Sequence, residues 1–519
     1  MSSRDAARVG TVYLVGAGPG DFGLVTRRAL ELVRSADVLL LDRLIPRELV
    51  REARADAVLI DVGKTAGDHA MAQEDINQRL VDEAQAGRSV VRVKGGDPYL
   101  FGRGGEEAIH CRAAGVPFEV VPAVTSAFAA CADAGIPVTH RDLSRHVTVV
   151  TASAGRDGQG DPDYEWLARS DGTVVLLMGL RRAGYVADRL IAGGKSPLTP
   201  AAVISRGTTS EQRTVTATLG SLELALREAG LASPAIIVVG EVVELREHLS
   251  WFEERPLFGT RVAVTRARAQ SSELVERLTE LGAIVAEVPA IRTELLDPAP
   301  LDALIDGLED VSTLVFTSRT GADAFFDRLF DRGLDARALG ASRVAVVGAG
   351  TAQACLDRGI VVDVLPPRGE RTSLGLLDAL GASAIFGTDV AVVRAEVGDE
   401  RLLDGLEQLG ARPRLVPVYR TVVDAATPEL AAALAGADVV TFSSESTVRN
   451  AVALLGDQVM PAAVTIGPTT SAAARAAGIR VLEEAATPSI DALVGALCSR
   501  AEDNAGIRPW RHAAATAPA

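Results

Sequence analysis

The sequence predicts an α/β protein made of several compact units, on three observations. Short apolar, β-branched runs alternate with segments of helical periodicity almost throughout. Apolar residues make up 48% of the chain but aromatics only 4%, so close-packed layers of Ala, Val and Leu must fill its cores. Finally, 519 residues exceed one ordinary domain and suggest about three or four units.

Taken in order, Val12–Val15, Val38–Leu41, Val90–Val93, Val147–Val150, Val174–Leu177 and Ile236–Val239 read as buried strands. Between the first two, Leu24–Ser35 reads as a helix, because Val25, Ala29, Leu32, Val33 and Ala36 recur on one helical face. The alternation implies mostly parallel sheets covered by helices. "ELREHLSWFEERPLFGT" (Glu244–Thr260) is polar and ends in Pro256 and Gly259, the pattern of a helix tail and a short linker at 253–258. The main boundary is placed there, with residues 1–9 as a flexible start and 501–519 as a disordered tail.

Beyond the boundary the chain repeats itself. "AVTRARAQSSELVERLTELGAIVAEVPAIRT" (Ala263–Thr293) matches "AVVRAEVGDERLLDGLEQLGARPRLVPVYRT" (Ala391–Thr421) at a constant offset of 128 residues. "LVFTSRTG" (Leu314–Gly321) parallels "VVTFSSES" (Val439–Ser446), and "VGAGTAQA" (Val347–Ala354) parallels "IGPTTSAA" (Ile466–Ala473). Two similar α/β lobes with a cleft between them follow from this pattern.

Several function classes are disfavoured. Cys111, Cys131, Cys355 and Cys498 form no CxxC pair and the histidines do not cluster, which argues against a disulfide framework or a metal site and fits a reducing cytoplasm. Residues 1–9 lack a signal-peptide core, and no apolar run approaches a membrane span. A net charge of -15 disfavours general nucleic-acid binding, while leaving room for an anionic substrate in a locally basic pocket.

Three motifs can carry chemistry. "VYLVGAGPGD" (Val12–Asp21) looks like a nucleotide loop. However, Asp21 stands where the dinucleotide fingerprint needs its third glycine, and Pro19 has no N–H to offer a phosphate. A dinucleotide, another adenosine ligand and a tight turn all stay open. "VVRVKGGDPYLFGRGGEE" (Val90–Glu107) runs a strand into two glycine turns beside Arg92, Lys94 and Arg103. This reads either as a grip for carboxylates or phosphates or as turns with solvated charges. "VPAVTSAFAACADAGIPVTHR" (Val121–Arg141) and "TVVLLMG" (Thr173–Gly179) read as a loop entering a small-residue helix and as a buried strand, and Met178 alone is more often core than contact.

Together these segments resemble the uroporphyrinogen-III C-methyltransferases of the tetrapyrrole methylase family. LDRLI (Leu41–Ile45), VGK (Val62–Lys64), QEDIN (Gln73–Asn77), GTTSEQRTVTATL (Gly207–Leu219) and SPAIIVVGEVV (Ser233–Val243) extend the match in family order across 10–252. The resemblance implies two α/β subdomains, about 10–120 and 121–252, with S-adenosylmethionine bound between them and no metal. It places methyl-donor contacts at Pro19, Gly95, Gly96, Asp97, Leu100, Thr125, Ser126, Met178 and Gly207. Asp42 falls on the family's proposed proton acceptor and Lys64 on its proposed donor, while Arg92, Lys94 and Arg103 would face the substrate's carboxylates. Three positions depart from the pattern: Ala123 replaces a glycine, Leu41 a common tyrosine, and Thr151-Ala152-Ser153 a TGH. If the Ala123 position needs positive φ, that turn is strained.

The second half, 259–500, resembles uroporphyrinogen-III synthase through VAVTRARAQ, the FTSRTGADAFF segment, VPVYRTV, VTFSSESTVRN and TIGPTTSAAA. The resemblance implies one lobe from about 259–293 and 427–500 and another from about 294–426. Tyr419 matches the candidate acid, and Ser318, Ser443, Ser444, Thr469 and Thr470 would rim the cleft and bind substrate. The bland alternative makes Tyr419 a strand residue and the hydroxyls helix caps. Taken together, the two resemblances imply closure of hydroxymethylbilane to uroporphyrinogen III and its double methylation to precorrin-2, toward siroheme and cobalamin. A non-catalytic tetrapyrrole-binding second half is the alternative. Expected partners are small-molecule tetrapyrroles, with no nucleic acid and no membrane, and a homodimer through the methyltransferase half.

Overall fold

The computed structural model describes residues 7–63, 71–153, 160–265, 268–289, 291–367, 370–423 and 427–502. The chain divides into two compact units. One is built on residues up to Arg261 with Arg277–Ile284, the other on Val262–Glu276 and Val285–Arg500.

The first unit carries two five-stranded sheets. β1 (Val12–Gly16), β2 (Val38–Leu41), β3 (Val58–Asp61), β4 (Val90–Lys94) and β5 (Phe118–Val121) form the first, in the order β3-β2-β4-β1-β5. Its neighbours pair in parallel throughout. Successive side chains alternate faces. Val12, Leu14, Val38, Leu40 and Val90 therefore pack on one face with Leu80 and Cys111. Tyr13, Val15, Leu39, Val91 and Val93 pack on the other with Leu32 and Val33. The helix expected from Leu24 begins at Arg27, after a short 3-10 turn at Phe22–Leu24. The reason is a cap: Thr26 Oγ1 accepts the Ala29 N–H at 3.2 Å and fixes the helix start.

The second sheet corrects the expectation of mostly parallel strands. β6 (Val147–Thr151), β7 (Thr173–Leu177), β8 (Pro200–Ser205), β9 (Arg213–Thr218) and β10 (Ala235–Val239) run in the order β6-β7-β10-β8-β9. Only β6 and β7 pair in parallel; β7–β10, β10–β8 and β8–β9 are antiparallel. β7, β8 and β10 are nearly fully buried, so they read as apolar runs whatever their direction. The stretch expected as a linker is packed rather than loose. Phe252, Leu257 and Phe258 are buried, Phe252 and Phe258 stack edge-on at 5.6 Å, and the Arg255 guanidinium lies 3.8 Å from the Phe252 ring centre.

The second unit realises the repeat. β11 (Arg261–Val264), β12 (Ile284–Glu287), β13 (Ile291–Leu295), β14 (Thr313–Phe316), β15 (Arg343–Val346), β16 (Asp389–Ala395), β17 (Arg412–Val423), β18 (Val439–Phe442), β19 (Ala462–Thr465) and β20 (Val481–Glu484) form two sheets, ordered β12-β11-β18-β19-β20 and β13-β17-β16-β14-β15. β11 and β16 begin at Arg261 and Asp389, and β12 and β17 at Ile284 and Arg412, the offset of the sequence repeat. Equivalent strands hold equivalent places: β12-β11-β18-β19 in one sheet corresponds to β17-β16-β14-β15 in the other. Among the described residues no helix is long and apolar enough to cross a membrane.

Candidate active sites

In the first unit the glycine loop after β1 is tied to segments far along the chain. Ala17 N donates to Lys94 O at 2.8 Å, and Gly96 N donates to Gly18 O at 2.8 Å. A Cβ on Gly16 would lie 2.5 Å from Ala123 Cβ and 2.6 Å from Gly96 O, so only glycine fits. Asp97 is the knot between two turns: its Oδ1 accepts from Tyr99 N (2.8 Å) and its Oδ2 from Ala123 N (3.0 Å). Asp21, which spoils a dinucleotide fingerprint, starts the 3-10 turn by accepting from Gly23 N, and its own N–H donates to Thr208 Oγ1 at 3.2 Å. Gly207 is equally constrained, since a Cβ there would sit 2.3 Å from Ala130 Cβ. Residues 16–21, 95–97, 123–126 and 207–208 thus converge, bringing together the expected contacts Pro19, Gly95, Gly96, Asp97, Thr125, Ser126 and Gly207. Thr125 caps the helix Ser126–Asp133. Leu100 follows the same turn, its N–H donating to Asp97 O at 3.4 Å.

Ala123 is not among the residues with positive φ, so the feared strain at the replaced glycine is absent. Among the described residues, left-handed backbone appears instead at five non-glycine residues, Phe101, Arg103, Met178, Arg206 and Thr208. All five lie in or beside the motifs of the first unit. Each such residue costs on the order of 1 kcal/mol or more, and strain of this kind gathers at ligand sites. Met178, more often core when read alone but a methyl-donor contact by the resemblance, is 55% exposed in this conformation. Its link to the cluster remains an expectation carried by the resemblance.

The basic stretch departs from the sequence reading. Arg92 and Lys94 are not open cations awaiting an anion; they are 3% and 2% exposed and share one buried carboxylate. Glu107 Oε1 accepts from Lys94 Nζ (2.8 Å), Arg92 Nε (3.1 Å) and Gln73 Nε2 (3.2 Å). The cause is topological. β4 sits between β1 and β2, buried on both faces, so charges on it must find partners from the covering helices. Burial, followed by the neighbouring Arg92, holds the Lys94 ammonium below its ordinary pKa. The network still reaches the candidate proton acceptor, because Arg92 Nη2 lies 3.5 Å from Asp42 Oδ2. Asp42 is partly exposed, and its N–H donates to Val93 O at 3.1 Å, which places it at the carboxyl end of β2 beside β4. Arg103 is exposed and held by Glu106 through two bonds of 2.9 and 2.6 Å. Lys64 lies outside the described residues. Glu107 and Gln73 stood in quoted motifs but were given no role. The pairing of Arg92 with Lys94 on one face of a central strand is the signal that asks for them.

In the second unit Tyr419 and Ser318 meet: the phenol donates to Ser318 Oγ at 3.0 Å. Ser318 also caps the helix Arg319–Asp331, accepting from Gly321 N at 3.1 Å. Of the other hydroxyls, only Ser444 takes the place of a helix cap. Ser444 closes a capping box with Thr447 on the helix Glu445–Leu455. Thr470 is 5% exposed, inside the first turn of Pro468–Ala476, which corrects its expected place on a rim. Thr469 is exposed and Ser443 half-buried.

Glycine turns gathered at the carboxyl ends of parallel strands, joined in one chain to a pair of repeat-built α/β lobes, define a fused two-part enzyme. Residues 11–223 match the family described as Tetrapyrrole (Corrin/Porphyrin) Methylases, and residues 272–495 that described as Uroporphyrinogen-III synthase HemD. The chain is 37% identical over 500 residues to the porphyrin biosynthesis protein HemD of Ruminiclostridium josui, spanning 94% of this chain and 97% of that protein. It is 40% identical over 369 residues to the uroporphyrinogen-III C-methyltransferase of Bacillus subtilis (strain 168), covering 70% of this chain and 74% of the relative. Among solved structures, the uroporphyrin-III C-methyl transferase of Thermus thermophilus complexed with S-adenyl homocysteine is similar at 39% identity and a TM-score of 0.39, over 45% of this chain and 99% of that one. The chain belongs to the tetrapyrrole methylases in its first half and to the uroporphyrinogen-III synthases in its second, a bifunctional enzyme of tetrapyrrole biosynthesis.

Proposed function

We propose that the second half closes hydroxymethylbilane to uroporphyrinogen III with inversion of its last ring. The first half then methylates that product twice to precorrin-2, with S-adenosylmethionine as donor. The observation that carries the reading is the convergence of residues 16–21, 95–97, 123–126 and 207–208 around glycines that admit no side chain. Such a cradle lets backbone approach a ligand more closely than any other residue allows. It fits a donor with an adenosyl and an amino-acid end. S-adenosylmethionine supplies an electrophilic methyl group, so the residues have mainly to hold two reactants in line and exclude water. Gly16–Gly20 and Gly95–Asp97 would form the wall on the donor. Asp42, at the mouth of β2, would take the proton that the methylated ring must lose. Arg92 would orient Asp42 from beneath, while Glu107 keeps both buried cations in place.

In the second half, Tyr419 would donate its phenolic proton to the departing hydroxyl of the substrate, with Ser318 holding the phenol in position. The test is a one-pot reaction from hydroxymethylbilane with S-adenosylmethionine, read by product isomer and methyl count. Doubly methylated type III product supports both halves. The spontaneous type I isomer alone would reduce the second half to a binding module, and unmethylated product would remove the first half's role.

A further inference from the structure

Arg394, at the end of β16, is 3% exposed. Its Nη2 donates to Glu400 Oε1 at 2.6 Å, yet its Nε and Nη1 are buried without a partner among the described residues. No other described side chain leaves two buried polar atoms unmade. Glu400 is itself 66% exposed, so the one bond that is made leads toward the surface. The exposed segment 396–400 lies directly over the guanidinium: a Cβ on Gly398 would come within 2.4 Å of Nη1.

The position is as telling as the missing bonds. Ala395 pairs with Tyr419, and Glu396 N donates to Tyr419 O at 2.8 Å. Val393 O faces Gly321 in the first turn of the helix that Ser318 caps. Arg394 therefore lies at the carboxyl end of β16, next to the strand that carries Tyr419. Alternation turns its side chain to the face of Val390 and Val392, while Tyr419 and Ser318 meet on the face of Ala391 and Val393. Both faces open at the strand ends, where α/β sheets take their ligands. A buried arginine with unmade N–H groups is a standing cost that an apolar side chain would avoid. Its planar fork matches a carboxylate in two parallel bonds.

We infer that Arg394 is a substrate-binding residue of the second half that holds a carboxylate of the tetrapyrrole, reached when Glu400 swings aside and segment 396–400 lifts. The inference rests on the synthase reading only for the identity of the ligand. The test uses the full chain with Arg394→Met and Arg394→Lys. Removing a bond to a charged group should raise KM for hydroxymethylbilane about tenfold or more, with a smaller change in kcat. Lysine should restore part of the loss, and methylation of added uroporphyrinogen III should not change. Thermal unfolding without ligand should be equal or higher in Arg394→Met. A fall of several degrees would mark a structural strut and overturn the inference, as would a KM within twofold of the parent. Binding is read separately, with uroporphyrin III as a polycarboxylate probe and hydrogen exchange of the 389–400 peptide as the signal. The probe should slow exchange in the parent and not in Arg394→Met; equal slowing in both overturns the inference. Absence of turnover in the parent would count against the synthase reading alone, since this binding comparison needs none.

Discussion

Glu107 is the residue whose loss should be felt most in the first unit. It is fully buried and accepts from Lys94, Arg92 and Gln73 through a single oxygen. Glu107→Ala leaves two buried cations with only the partly exposed Asp42 nearby, 3.5 Å from Arg92, and breaking such a buried network costs about 3–5 kcal/mol. For a unit of this size 1 kcal/mol moves Tm by about 2–4 °C, so the expected drop is roughly 6–20 °C at pH 7. The deficit should depend on pH in a definite direction. Burial already depresses Lys94 below its ordinary pKa, and Glu107 opposes that depression. Without Glu107 the depression deepens. Between the folded pKa and the unfolded value near 10.5, the unfolded chain binds more protons, so stability rises with pH across that window. The variant's deficit should therefore shrink between pH 7 and pH 9.5, though not vanish, because Arg92 stays charged. Differential scanning calorimetry of parent, Glu107→Ala and Glu107→Gln across this range is the assay. A Tm within 2 °C of the parent at pH 7, or a deficit that grows with pH, would refute the network as described.

Three further outcomes are expected. Gly16→Ala forces a Cβ to 2.5 Å from Ala123 Cβ, so methylation should fall at least tenfold while ring closure is kept, measured by separate assays on one preparation. Tyr419→Phe removes the bond to Ser318 and should cost about 0.5–1.5 kcal/mol in chemical denaturation, with a larger fall in kcat than in stability if the phenol is the proton donor. Asp133 has its carboxyl raised to about 6, chiefly by burial and then by Asp21, with Arg255 opposing. Its folded pKa exceeds the unfolded value, so its contribution falls as pH rises from about 4 to about 6. Asp133→Asn should then raise Tm at pH 7.5, and by less at pH 5.

Much of this was legible in the sequence, and the exceptions have physical causes. The strands of the first sheet were readable because parallel strands buried on both faces leave continuous β-branched runs, as in Val12–Val15 and Val38–Leu41. The same property hid the antiparallel pairing of β7, β8 and β10, since a doubly buried strand carries no sign of its direction. The glycine loop was visible in the residues themselves, but its partners near Ala123 and Gly207 came only from the family resemblance, because spacing along the chain says nothing of approach across it. Arg92 and Lys94 were misplaced for a related reason. Composition makes a cation in an acidic chain look like a ligand site, whereas two charges at alternate positions of a central strand demand a buried partner. Met178 read alone would be core, and only the family resemblance made it a contact; its side chain is exposed.

The repeat in the second half shows how two similar lobes come to do unlike things. In the first copy the strand is interrupted between Glu287 and Ile291: β12 stays beside β11, and β13 leaves to pair antiparallel with β17. In the second copy the equivalent residues form one continuous strand, β17, long enough to pair with both β16 and β13. The break carries the chain from one sheet to the other, and the continuous copy receives it. Tyr419 lies on that continuous copy, at the register shift where Ala395 pairs with it, while the equivalent place in the first copy is Ile291. Ser318, which holds the phenol, has its structural counterpart in Ser444, the cap of the equivalent helix, with no tyrosine on the equivalent strand to meet it. Symmetric architecture thus presents an asymmetric set of polar groups, so the two lobes offer unlike chemistry at equivalent places in the fold.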